Sequence, residues 1–307
     1  MIYMNPEIIL VGAAILDVLA YPADERVFQE GSYSCDDVVL SYGGDALNEA
    51  LVLSAFKKKV ELITILGKDQ AGEFIFSKCQ QQHILLNDKT MRDDLKTGIN
   101  GVLIKKDGSR HFLTNANGSL RKLTLEDIPM PFCASAKILC FASIFVFPQI
   151  NDQELATIFN MAKKQGMAVA ADMTKCKHQE TLDDLKQSLP LIDYLFCNES
   201  EAQLVTRVRS VEEAAKKIYD AGVKNVIIKV GAQGCYVYND EIHQWVCPKK
   251  EVVCIDTTGA GDSFVAGFLK ALLENQSLMD CLDFANECGG KAVGQIGATR
   301  WLDVSMK

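Results

Sequence analysis

No C-x-x-C pair occurs in this sequence, which removes the zinc knuckle and the thioredoxin-type dithiol. Its four histidines are isolated and form no H-E-x-x-H spacing, so no histidine metal pattern is present. Basic charge is not in excess either. Against 40 aspartates and glutamates stand 32 lysines and arginines, a formal charge of −8. A nucleic-acid binder needs a basic face to neutralise phosphates, so that class is excluded. No apolar run reaches the roughly 20 residues that cross a bilayer. The early run "IILVGAAIL" follows Glu7 rather than a basic cluster and leads at once to Asp17, unlike a signal peptide. It reads as a buried first strand, with no membrane partner. No Walker-type G-x-x-x-x-G-K-[ST] loop exists, and no internal repeat or low-complexity tract breaks the chain.

Cysteine is not scarce. Eleven are scattered through apolar runs, an odd number that does not suit a disulfide framework. They read as buried thiols in a reducing, cytoplasmic setting. The 307 residues, 48% of them apolar, suffice for one large domain spanning 1–307, with room for an appendage.

Short apolar runs alternate with helix-period stretches. Buried strands are predicted at 8–15, 60–67, 137–145, 167–173, 194–198 and 225–231, and helices at 46–56, 151–165, 180–188, 199–206 and 211–221. Continuous apolar strands separated by helices indicate an α/β fold, a doubly wound and mostly parallel sheet flanked by helices. Sites are expected at the carboxyl ends of its strands. Residues 18–42 and 98–115 break this rhythm with alternating or polar strands and a "KDGS" turn signal. They are predicted to form a small β-strand lid.

One stretch carries chemistry. In "DTTGAGDSF" (256–264) two aspartates bracket a glycine-broken turn, and the apolar residues Phe264, Val265, Phe268, Leu269, Leu272 and Leu273 recur behind it on one helical face. Gly259, Ala260 and Gly261 therefore open a helix, where unpaired amides and the helix dipole make an anion site. Phe264 occupies the last glycine position of a would-be G-x-G-x-x-G, so a dinucleotide fingerprint is absent. Asp262 beside a phosphate-binding loop suits acceptance of a proton from an attacking hydroxyl in phosphoryl transfer. A lone aspartate there would more simply be a first-turn acid, and Asp256 a turn residue; the nine-residue string as a whole favours chemistry.

That string resembles the signature of the ribokinase-like carbohydrate kinases, the phosphofructokinase B type family. The resemblance implies a central α/β domain with a β-strand lid, ATP and magnesium as cofactors, and a small sugar phosphorylated on a hydroxyl, a primary one by analogy. It implies Asp262 as catalytic base, the amides from Gly259 to Asp262 as anion hole, and a monovalent cation such as potassium near Asp256, Thr258 and Gly297. "SYGGDALNEA" (41–50) resembles the family's first signature, with "GKDQAG" (67–72) after it. Gly43, Gly44 and Asn48 then become sugar contacts, where otherwise they are a Gly-Gly turn and a helix-surface asparagine. Asp17, read as ending the first strand, matches a family aspartate that binds sugar hydroxyls; its plain reading is a solvated strand-end acid. "NESE" (198–201) is a capping box in its own right, and the family ties an N-x-x-E here to magnesium and phosphate, giving Asn198 to the nucleotide and Glu201 an indirect role at magnesium. Lys229, Gly231 and Gly234 in "IIKVGAQGCYV", and Asn286 in "FANECGGKAVGQIGATR", are nucleotide candidates; G-x-x-G turns are commonly only turns, and Asn286 otherwise reads as a surface-helix residue. Ser143 stands where ribokinase carries a sugar-contacting glutamate. Lys175 meets an acidic sugar or is a solvated loop lysine. Phe145 and Phe147 leave room for the rival reading of a nucleoside kinase, and a non-catalytic sugar or nucleotide sensor is the rival from another class. Related kinases also suggest a homodimer through the lid.

Overall fold

The computed structural model describes residues 5–106 and 109–302. Asp107 and Gly108 of the "KDGS" turn signal lie outside the described residues. The first apolar run splits in two. Its opening half is β1 (Ile8–Val11), buried on both faces, and the second half enters a different sheet as β2 (Ile15–Tyr21). A single-turn helix, α1 (Arg26–Glu30), leads to β3 (Asp37–Gly43) and then α2 (Asp45–Ala55). The expected strand 60–67 likewise divides into β4 (Val60–Ile63) and the two-residue β5 (Leu66–Gly67). Next come α3 (Gln70–Gln81), capped by Asp69, the short β6 (Met91–Arg92), β7 (Ile99–Ile104) and β8 (Arg110–Thr114).

The remaining elements follow the expected alternation: β9 (Ile138–Ile144), α4 (Asp152–Lys164), β10 (Ala168–Met173), β11 (Tyr194–Asn198), α5 (Glu199–Thr206), α6 (Val211–Asp220) and β12 (Asn225–Lys229). A hairpin, β13 (Cys235–Tyr238) and β14 (His243–Val246), precedes α7 (Ala260–Leu273) and α8 (Leu278–Val293). The helix expected at 180–188 is only a 3-10 turn at Leu182–Leu185. Asp152 accepts the amides of Gln187 and Ser188 at 2.9 Å, the Ser188 amide reaches back only three residues to the Leu185 carbonyl at 3.2 Å, and Pro190 disfavours helix just before it.

The large sheet runs β14-β13-β12-β11-β10-β9-β1-β4, parallel from β4 to β12 with an antiparallel hairpin at one edge. Alternate residues of β1 feed opposite cores. Ile8 and Leu10 pack with α2, α7 and α8, while Ile9 and Val11 pack with α4, α5 and α6. Period two in the strand thus covers both faces with helices, as the doubly wound reading requires. The strand order reverses at β1, which lies between β4 and β9, and a cleft is expected at the carboxyl ends there.

The second sheet has the order β3-β2-β7-β8. The register puts Asp17, Leu19, Asn100, Val102 and Arg110 on one face, with Leu19, Val102 and Ile104 as a small core. Val38, Leu40 and Leu113 share the opposite face and are exposed. Among the described residues, no helix is long and apolar enough to cross a membrane.

Candidate active site

Asp262 is the third residue of α7, whose N-cap is Gly259 at φ 70. A side chain on Gly259 would be strained by that backbone and would also meet the Cα of Ala298 at 2.6 Å, so the loop needs glycine there. The Ala260 amide turns back to the Thr257 carbonyl at 3.3 Å. The next amides have no partner one turn earlier in the helix, as at any helix start. A Cβ on Gly261 would lie 3.4 Å from the Lys229 Nζ, so an ammonium stands beside the positive end of the helix dipole.

Helix α2 meets α7 at this point. The Asn48 amide donates to Asp262 Oδ2 at 2.7 Å, which leaves the buried Asn48 Oδ1 without a partner. Burial pushes the Asp262 carboxyl well above the usual aspartate range, and Asp45 and Asp172 add to the shift; Asn48 and Lys229 pull the other way. At the ends of β10 and β12, Lys229 Nζ donates to both Asp172 oxygens, at 2.9 and 2.8 Å. Burial alone would lower the Lys229 pKa, but Asp172, then Glu201 and Asp262, reverse this and hold it above the ordinary lysine value. Glu49, wholly buried behind Asn48, is pushed well above the glutamate range by burial and then by Asp172, Asp262 and Asp45. Its Oε2 accepts from the Cys140 thiol at 3.5 Å, and Oε1 has no partner.

The small sheet supplies the other wall. Asp17 does not end a strand of the large sheet. It lies inside β2, between Ser41 of β3 and Asn100 of β7, and accepts from Asn100 Nδ2 at 3.0 Å. A Cβ on Gly43 would fall 2.3 Å from Asp17 Oδ2, so glycine permits this close approach. Burial raises the Asp17 pKa to about 6, with a further push from Asp45; Asn100 and Arg110 lower it. The hydroxyl of Ser143, at the site-forming end of β9, donates to Asp45.

The expected nucleotide residues share one cleft of about 1850 Å³, whose walls include Asn198, Glu201, Lys229, Gly231, Gly234 and Asn286 along with Asp172 and Asp262. Asn198 and Glu201 do form the capping box of α5: Asn198 Oδ1 accepts the Glu201 amide at 2.9 Å, and Glu201 Oε2 accepts the Asn198 amide at 2.7 Å. Burial, with Asp172 and Asp45, lifts Glu201 to about 7 despite Lys229 and the Asn198 amide. Asn286 is buried rather than on a helix surface, and donates to the Val246 carbonyl at 2.9 Å. Lys175 is exposed after β10. Phe147 is buried in the core, edge-on to Phe141, and the half-buried Phe145 packs on that same core.

Thr258, Gly297 and Arg110 all bond to Asp256. Asp256 Oδ1 accepts the Thr258 amide at 3.0 Å, the Thr258 hydroxyl at 2.7 Å and the Arg110 guanidinium of β8; Oδ2 accepts the Gly297 amide at 2.8 Å. Sequence reasoning missed Arg110, Asn100 and Asp172. Each acts through a partner at least 57 residues away, and no local spacing announces such a contact.

The profile described as pfkB family carbohydrate kinase matches residues 5–303. A ribokinase of Staphylococcus aureus (strain COL) is 27% identical over 305 residues, covering 96% of each chain. Among solved structures, an adenosine kinase from Sinorhizobium meliloti superimposes with a TM-score of 0.85 at 21% identity over 99% of both chains. An Arabidopsis thaliana ribokinase complexed with ribose and ATP gives 0.75 at 24% identity, over 97% of this chain and 96% of that one. At those identities the two structures speak for the fold alone.

Asp17 yields a pH test. The folded chain holds its proton more tightly than the unfolded chain, so this contribution to stability is present at low pH and is lost as pH rises from about 4 to about 6. Asp17→Asn should therefore raise the stability at pH 8 by about 1–3 kcal/mol, with the gain vanishing near pH 4. Thermal unfolding across pH checks it; a gain independent of pH would refute the buried-acid reading.

Proposed function

The chain belongs to the pfkB family of carbohydrate kinases, and on that premise we propose that it transfers the γ-phosphoryl group of ATP to a primary hydroxyl of a small neutral sugar, with Asp262 as general base. The observation that carries the proposal is the position of Asp262: first turn of α7, bonded to Asn48, in the same cleft as Lys229. In the reaction the sugar oxygen bonds to the γ-phosphorus, the bond to the β–γ bridging oxygen breaks, ADP leaves, and the hydroxyl proton passes to Asp262. Raised proton affinity makes Asp262 a better proton acceptor, while Asn48 and Lys229 sustain its ionised form. The start of α7 at Gly259, Ala260 and Gly261 stabilises charge on the moving phosphoryl group.

The acceptor lies between the two sheets, against Asp17, Gly43, Gly44, Asn48 and Asn100. Both asparagines spend an amide on a carboxylate and keep a buried oxygen unpartnered. Such a wall calls for a ligand rich in donors, as a polyhydroxylated sugar is. Asp17, Asp45 and Asp262 would repel a sugar acid, and the exposed Lys175 offers no compensation. A nucleoside is less well served, since Phe147 is committed to the core.

ATP occupies the cleft beside Lys229, Gly231, Gly234, Asn286 and Asn198. The acidic oxygens of Glu201 and Asp172 on its wall suit a hydrated magnesium ion. When bound, that ion offsets charge on the phosphates. Residues 1–307 form one catalytic unit, and the small sheet acts as a lid that excludes water from the phosphoryl group. Its exposed outer face, with Val38, Leu40 and Leu113, supports a homodimer through the lid.

Two measurements test this reading. Asp262→Asn should lower kcat by about 10²–10⁴-fold, in an ATP-consumption screen over pentoses, hexoses, ketoses and nucleosides, with ATP affinity preserved; near-normal turnover would remove Asp262 as base. Sedimentation should show a dimer of the 33.8 kDa chain that Leu40→Glu converts to monomer. A monomeric wild type would overturn the lid interface.

A further inference from the structure

We infer that Arg110 is this chain's own cation at Asp256, a tethered guanidinium standing where the family resemblance places a free monovalent ion. The inference rests on the kinase reading above, and it is an alternative to the cation expectation for Asp256, Thr258 and Gly297. The buried Asp256 carboxylate receives four donors: the Thr258 amide and hydroxyl and the Arg110 Nη2 on Oδ1, and the Gly297 amide on Oδ2. Arg110 Nη2 also donates to the Thr257 hydroxyl at 3.0 Å. Both charged side chains are largely shielded, 18% exposed for Arg110 and 7% for Asp256.

An alkali ion would need oxygen lone pairs at this point. The carboxylate oxygen facing Arg110 already accepts three hydrogen bonds, more than its ordinary complement. Thr258 is turned so that its amide and hydroxyl both donate inward. Gly297 likewise presents its amide to Asp256. A second positive charge beside the guanidinium would be repelled, and the shielding strengthens that repulsion. The groups that face Asp256 do not fit a free monovalent ion while Arg110 is in place.

The tether has a consequence that a diffusible ion lacks. Arg110 projects from β8 on the face of the small sheet that also carries Asp17 and Asn100. Its partner lies in the loop that opens α7, three residues before Gly259. The positive charge behind the anion-binding turn therefore arrives with the acceptor-binding sheet. Arg110 is a positioning residue: it acts through Asp256 and touches neither substrate in this arrangement.

Thermal unfolding and turnover measured in potassium chloride and in tetramethylammonium chloride at equal ionic strength test the inference. The wild-type protein should give the same Tm and the same kcat in both salts. Arg110→Ala should lose about 2–4 °C in Tm in tetramethylammonium and about tenfold in kcat, and potassium or methylguanidinium should restore both. Arg110→Lys should retain most of the Tm in either salt. A wild type that gains Tm and turnover specifically with potassium would overturn the inference, as would Arg110→Ala behaving like wild type in tetramethylammonium. The Tm arm needs no turnover, so failure of the kinase reading leaves it intact, and loss of turnover in Asp262→Asn is independent of either salt.

Discussion

Lys229 is the charge on which the site depends. Asp172, Glu201, Glu49, Asp45 and Asp262 converge around the start of α7, and burial raises the proton affinity of Glu49, Asp172, Glu201 and Asp262. Lys229 lowers all four. It does so by reaching from the end of β12, across β11, to clasp Asp172 at the end of β10. Removing one partner of such a buried pair typically costs about 3–5 kcal/mol, because the other charge is left uncompensated. The ammonium also lies beside Gly261. One side chain thus makes the acid cluster tolerable and supplies positive charge where a phosphate would sit.

The two walls of the cleft divide the labour. The large sheet and α7 present positive charge and backbone amides, suited to an anion. The small sheet and α2 present carboxylates and unpaired amide oxygens, suited to a ligand that donates hydrogen bonds. Asp262 stands where the walls meet, with Asn48 on one side and Lys229 on the other. Arg110 closes the far side by joining β8 to the loop that starts α7.

Much of this was legible in the sequence because it is local. The strand at 194–198 and the helix at 199–206 fall where apolar pattern and the Asn198–Glu201 box put them. Asp262 stands in the first turn of α7, as the spacing behind "GAGD" requires. What escaped is non-local or degenerate. An apolar run reads the same whether it is one buried strand or two that enter different sheets, and the local pattern therefore hides the place of Asp17 in β2. Helix α3 buries only Ala71, Gly72, Ile75 and Cys79, too thin a stripe to stand out. Arg110 meets Asp256 across 146 residues, and a lone arginine in a polar strand carries no mark of that partner.

Asp262 is a carboxyl whose proton affinity is raised by burial and neighbouring acids and held in check by Asn48. Carbon-13 NMR titration of the aspartate side-chain carboxyls, with the Asp262 signal assigned by its loss in Asp262→Asn, measures this without turnover. The midpoint is expected well above the ordinary value of about 3.9, moving higher still in Asn48→Ala. A midpoint in the ordinary range that ignores Asn48 would contradict it.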